Sequence, residues 1–162
     1  MDTVIALLLS LFVVMPILTL MHEMGHALPQ LVLGKKITVR LGQCDKGKQW
    51  KLGRFTLKSS LAPFHLGQCD ISPSLSPNIR ILVLLAGPMT SWINYLVCQF
   101  LLEFNWPYLI SYCLNFAVTF TFIQALMTTI PMRYPKFMSA NNVSHSDGFQ
   151  ALTILRRARN TA

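Results

Sequence analysis

Three apolar runs, each long enough to cross a bilayer, constrain this chain more than any other feature. The first extends from Val4 to Met21 without a charged residue and, after a polar interruption, resumes from Ala27 to Leu33. The second covers about 79–102 and the third about 108–130. A helix needs roughly 20 apolar residues to cross ~30 Å of hydrocarbon, and it satisfies its own backbone there. Composition agrees, with 52% hydrophobic and only 12% charged residues in a chain of 162, about half the charge of an ordinary soluble domain. The sequence therefore predicts a single multi-pass α-helical integral membrane domain over 1–162, with the lipid bilayer as its solvent. Met1–Leu20 lacks the positively charged n-region and small-residue cleavage site of a signal peptide, so a retained helix is expected.

The net charge of +8 is informative through its placement. None of the 14 Lys and Arg precedes Lys35, and eight lie from Lys35 to Lys58. Arg80 borders the second run, and the others are Arg133, Lys136, Arg156, Arg157 and Arg159. The turn between the second and third runs has Glu103 and no basic residue. By the positive-inside rule the N-terminus is expected outside and the C-terminus in the cytosol. No aromatic-basic motif accompanies the charge, so no nucleic-acid partner is expected. Among the four cysteines there is no CxxC pair. LGQCD occurs twice, at Leu41–Asp45 and Leu66–Asp70, and reads as two similar turns after strands; a Cys44/Cys69 pair that binds metal or oxidises is the other reading.

Between the first two runs the periodicity changes to two. Ile37, Val39 and Leu41 alternate with polar residues, and Trp50, Leu52, Phe55 and Leu57 follow, with a one-residue slip at Gly53 that looks like a bulge. With turn chemistry at Asp45-Lys46-Gly47, residues 35–78 predict a small β-hairpin insertion on the membrane surface and an irregular linker from Ser59 to Pro77. Pro16 is expected to kink the first helix and Gly34 to stop it. In the final segment, 131–162, a helix from Phe149 to Arg159 is expected with Ser146 or Asp147 as its N-cap.

The chemistry begins at His22-Glu23-Met24-Gly25-His26, an HExxH sequence. On a helix, residues four apart lie about 40° apart around the axis and one turn apart along it, so both imidazoles face one point. Two nitrogens can then close on one Zn²⁺, while Glu23 reaches water held there and serves as general base. Ionisable groups in a spanning helix cost roughly 2.5–3.5 kcal/mol each on insertion scales, and a bound dication compensates them. A catalytic zinc site needs a third protein ligand and an open position. Of the six acidic residues, Asp2 and Glu103 lie on the opposite side by the expected topology and Asp45 and Asp70 in the insertion. Asp147 remains, beside the cytosolic end of the third run, with His145 and His65 as rival ligands.

In these motifs the chain resembles the site-2 proteases, intramembrane zinc metalloproteases with HExxH on one core helix and Asp-Gly on a later one. The matching residues are His22–Ala27, Ala86-Gly87-Pro88, Ile130-Pro131 and Asp147-Gly148. The resemblance implies a three-span core with a β insertion after the first helix, zinc held by His22, His26 and Asp147, and Glu23 as catalytic base. Ser91 and Thr128 stand where the family commonly has Asn residues thought to position substrate backbone, and Ser146 where it often has Leu. Asn94, Asn141 and Asn142 are candidates to substitute for those Asn. Gly87 and Pro88 also admit a simple packing role.

The leading functional expectation is a zinc metalloendopeptidase that hydrolyses a peptide bond of a membrane-associated or transmembrane substrate, with its site toward the cytosol. Its substrate is expected to unwind and add as a strand beside the hairpin between Ile37 and Leu57. The alternative is a non-catalytic binding or regulatory membrane protein on a metalloprotease scaffold, favoured by Ser91 and Thr128 and opposed by the intact Glu23. A channel or transporter is a third reading of the buried charges.

Overall fold

Helix formation follows the apolar runs in the computed structural model, whose described residues are 2–42, 48–60, 67–134 and 145–160. The first run forms α1 (Asp2–Leu9), a π-helical turn (Ser10–Val14) and α2 (Met15–Val32). The second and third form α3 (Pro77–Leu102) and α4 (Tyr108–Thr129), and a shorter α5 (Asp147–Asn160) ends the chain. All three long helices, the first counted from Asp2 to Val32, are apolar enough to cross a membrane. The π turn has a local cause. Pro16 has no amide to offer the carbonyl four residues back, and the helix widens just before it, where Met15 N–H reaches the Ser10 carbonyl.

Burial is distributed as lipid demands. Val32, Leu82 and Leu96 stand on the outside, whereas Ser10, Thr19, Ser91, Asn94 and Thr121 are buried between helices. Lipid tails are as apolar as leucine, so helices associate through small residues and interhelical hydrogen bonds instead of hydrophobic exclusion. Gly25 of α2 shows the first of these: a side chain there would run into Thr90 and the Ala86 backbone of α3. Helix α3 packs against α2, α4 and α5 and is the hub of the bundle. At the end far from the basic loop, Thr3 and Tyr108 share a hydroxyl hydrogen bond of 3.0 Å.

Gly34, at φ 74°, ends the first helix and leads into a four-stranded mixed sheet of order β2-β3-β1-β4. The strands are β1 (Ile37–Leu41), β2 (Lys48–Leu52), β3 (Phe55–Ser59) and β4 (Gly67–Cys69). This corrects the expected small hairpin. The hairpin is β2 with β3, closed by Gly53-Arg54 with Leu52 opposite Phe55, while β1 runs parallel to β3. Gly53, at φ 58°, is the turn residue and not a bulge. Ile37 and Val39 are buried with Ala27 of α2, so the sheet lies on the C-terminal half of that helix.

Strand β4 falls in the stretch expected to be irregular linker. Its three residues have no apolar alternation; antiparallel pairing with β1 makes the strand, with Val39 opposite Cys69. The ion pair of Arg40 with Asp70 fastens this edge, its second contact measuring 2.9 Å. Gln30, fully buried, completes the attachment: its amide donates to the His26 carbonyl at 3.0 Å and accepts from Ser72 N–H at 2.9 Å. The Asp45-Lys46-Gly47 turn, Cys44, His65, Leu66, Lys136, Asn141 and Asn142 lie outside the described residues.

Candidate metal site

Helix α2 buries His22, Glu23 and His26 at 4%, 6% and 4% exposure, one turn or less apart. The two histidines point their Nε2 atoms at each other, 3.3 Å apart. Their other nitrogens fix the tautomers. His26 Nδ1 lies 2.7 Å from the Val83 carbonyl, which only accepts, so Nδ1 carries the proton. Ser91 gives its hydroxyl hydrogen to Gln124 Oε1 at 3.2 Å and so accepts from His22 Nδ1 at 2.8 Å. Both Nε2 lone pairs are thereby left facing one point, the arrangement in which hydrogen-bonded imidazoles ligate metals.

The third donor arrives from α5. Asp147 Oδ2 lies 3.5 Å from His22 Nε2 and 3.4 Å from His26 Nε2. Ser146 holds it there. Its hydroxyl donates to the Ile130 carbonyl at 2.7 Å and accepts from Met132 N–H at 3.1 Å and from Phe149 N–H at 3.2 Å, the last an N-cap bond. A leucine could make none of these three bonds.

Two glycines let these elements meet. A side chain on Gly87 of α3 would collide with the His26 ring, and one on Gly148 would collide with the Thr129 carbonyl at the end of α4. The packing and functional readings of Gly87 are therefore the same contact. Together His22, His26 and Asp147 place three donor atoms within 4.8 Å of one another and could hold a metal ion. The donor set fits a cation: two imidazole nitrogens and one carboxylate oxygen converge on one point.

Glu23 stands beside this group without joining it. It packs so closely on β4 that a side chain on Gly67 would overlap its carboxyl, and it accepts a hydrogen bond from the Cys69 backbone. The site opens into a cleft of about 480 Å³ walled by α2, β4 and α4, with Tyr134 and His145 at one side. Tyr134 donates its hydroxyl to the Met127 carbonyl at 3.1 Å, and burial, with the Asp147 charge, pushes its phenol up to about 12. It is therefore a neutral donor at ordinary pH.

No family model, curated protein or solved structure matches this chain. Its own geometry is what sorts the sequence candidates. The structure brings His22, His26 and Asp147 together and sets Glu23 next to them. His145 lines the cleft outside the donor group, its ring stacked 4.5 Å from Phe149. Ser91 is fully buried against His22 and takes no part in the cleft wall, so what it does is orient that imidazole. Thr128 does line the cleft, its hydroxyl turned back to the Gln124 carbonyl at 2.8 Å. Asn94 is buried in α3 and is not part of the wall. Sequence reading missed Gln124, Tyr134 and Thr19 of the cleft. A glutamine inside the third apolar run was an available signal; nothing local marks Tyr134.

Proposed function

We propose that the chain is a membrane-embedded zinc metalloendopeptidase of the site-2 protease kind, acting on a membrane-associated or transmembrane protein or peptide. The observation that carries this reading is the donor triangle of 3.3, 3.4 and 3.5 Å with a second carboxylate, that of Glu23, at its side. A tetrahedral ion with 2.0–2.1 Å bonds needs edges of about 3.3–3.4 Å, so His22, His26 and Asp147 fit three corners of a zinc site. Bound zinc supplies Lewis acidity toward a carbonyl and lowers the pKa of water. Glu23, held by its contacts with Gly67 and Cys69, takes a proton from the attacking water and returns it to the departing amine nitrogen.

An extended substrate backbone can bind along an open edge of the sheet. Strands β1 and β3 are each paired on both sides, so within the region between Ile37 and Leu57 the open edge is that of β2. The free edge beside the metal site is β4, which lines the cleft. A spanning helix must unwind before its carbonyls are accessible, and an extended segment can add to such an edge. The basic ends of the bundle, Lys35, Arg80 and Arg133, adjoin the metal-site end of the helices, which supports a cytosolic-facing site.

The test is cleavage of a panel of membrane-tethered peptides by the purified chain in detergent. Cleavage is expected, lost on chelation and regained when zinc is returned. Cleavage indifferent to chelation would contradict zinc, and a zinc-loaded chain inert toward the whole panel would favour the non-catalytic scaffold.

A further inference from the structure

A second cleft, about 440 Å³, lies between the start of α3 and α5, and its wall is cationic. Arg80, Arg133 and Arg157 line it with His145, Phe149 and Gln150, and no Asp or Glu does. Arg80, His145 and Gln150 belong to the wall of the metal-site cleft as well, so the two spaces adjoin.

Two details point to an anion. Arg80 Nε is buried without a hydrogen-bond partner, a donor whose desolvation is uncompensated until an acceptor arrives. Among the described residues neither Arg80 nor Arg133 has a carboxylate within salt-bridge distance. Arg133 is instead seated over the Phe149 ring, 5.5 Å from its centroid. Guanidinium groups gathered without acids are suited to phosphate, which they bind through paired N–H donors.

The position selects the source of that phosphate. Arg80 is in the first turn of α3 and Arg133 follows the last turn of α4, so both stand where spanning helices leave the hydrocarbon. Phospholipid headgroups occupy that depth, and basic pockets between spanning helices bind them. We propose that this cleft is a binding site for the phosphate headgroup of an anionic phospholipid, with Arg80 and Arg133 as its principal contacts.

The full chain in neutral detergent would be titrated with short-chain phosphatidylglycerol and with phosphatidylcholine, retained lipid being counted by native mass spectrometry. Saturable binding of phosphatidylglycerol alone is expected, weakened at least roughly tenfold in Arg80→Gln and in Arg133→Gln. Arg133 is exposed, so its variant keeps the test open should Arg80→Gln misfold. Arg156→Gln, on α5 but outside the cleft wall, is expected to bind as wild type. Equal weakening in Arg156→Gln, or none in either cleft variant, would overturn the site in favour of general surface charge. Displacement by inorganic phosphate at the same concentration would overturn the lipid source. Binding of an acidic peptide with no lipid retention would assign the cleft to substrate instead.

Discussion

Glu23→Gln is expected to lower the rate of peptide hydrolysis by about 10²- to 10⁴-fold, the usual contribution of a positioned general base, while leaving the metal content of the chain unchanged. Glutamine has the shape of glutamate, so the tight contact with Gly67 and an acceptor for the Cys69 backbone both survive. The three donors of the metal group lie on His22, His26 and Asp147 and are untouched. Only the capacity to take a proton is lost. Turnover of a tethered peptide and metal per chain, measured on one preparation, check the two halves separately. A rate within a few-fold of wild type would remove Glu23 from the chemistry, and loss of metal would place it among the ligands.

Gly148→Ala is expected to weaken metal binding strongly without touching any donor atom. The added methyl would enter the Thr129 carbonyl, which is backbone and cannot rotate aside. Helix α5 must then retreat from α4, at about 1–3 kcal/mol for an overpacked contact. Asp147 is the first residue of α5 and moves with it, while His22 and His26 stay fixed by Ser91 and Val83. Metal affinity should fall by at least the roughly 10- to 100-fold that follows disturbance of an orienting group, since here a ligand is displaced. Retained zinc affinity in Gly148→Ala, read by competition with a chromophoric chelator, would show that the Gly148 contact does not set the Asp147 position.

The local part of this site was legible because its information is local. HExxH on a helix fixes the relative placement of His22, Glu23 and His26 whatever surrounds them, and three apolar runs dictate three long helices. Asp147 could be reached only by eliminating other acids and by likeness, since 121 residues separate it from His26 and Ser146 sets its place through bonds to Ile130 and Met132. The sheet was half legible. Alternation at Ile37, Val39 and Leu41 marks a strand, yet the choice of β3 as its parallel neighbour and of Gly67–Cys69 as its antiparallel one comes from pairing across long gaps. The hydrogen bond of Ser91 to His22 was not legible for a related reason: its place in the motif points toward substrate contact, and its partner lies 69 residues away on α2.

A three-ligand metal site at His22, His26 and Asp147 is tested most directly by zinc per purified chain in detergent, by elemental analysis, for wild type and for His26→Ala, Asp147→Ala and His145→Ala. About one zinc is expected in wild type and in His145→Ala, and loss in the other two. Folded wild type without zinc, or zinc that departs with His145 and stays without Asp147, would contradict it.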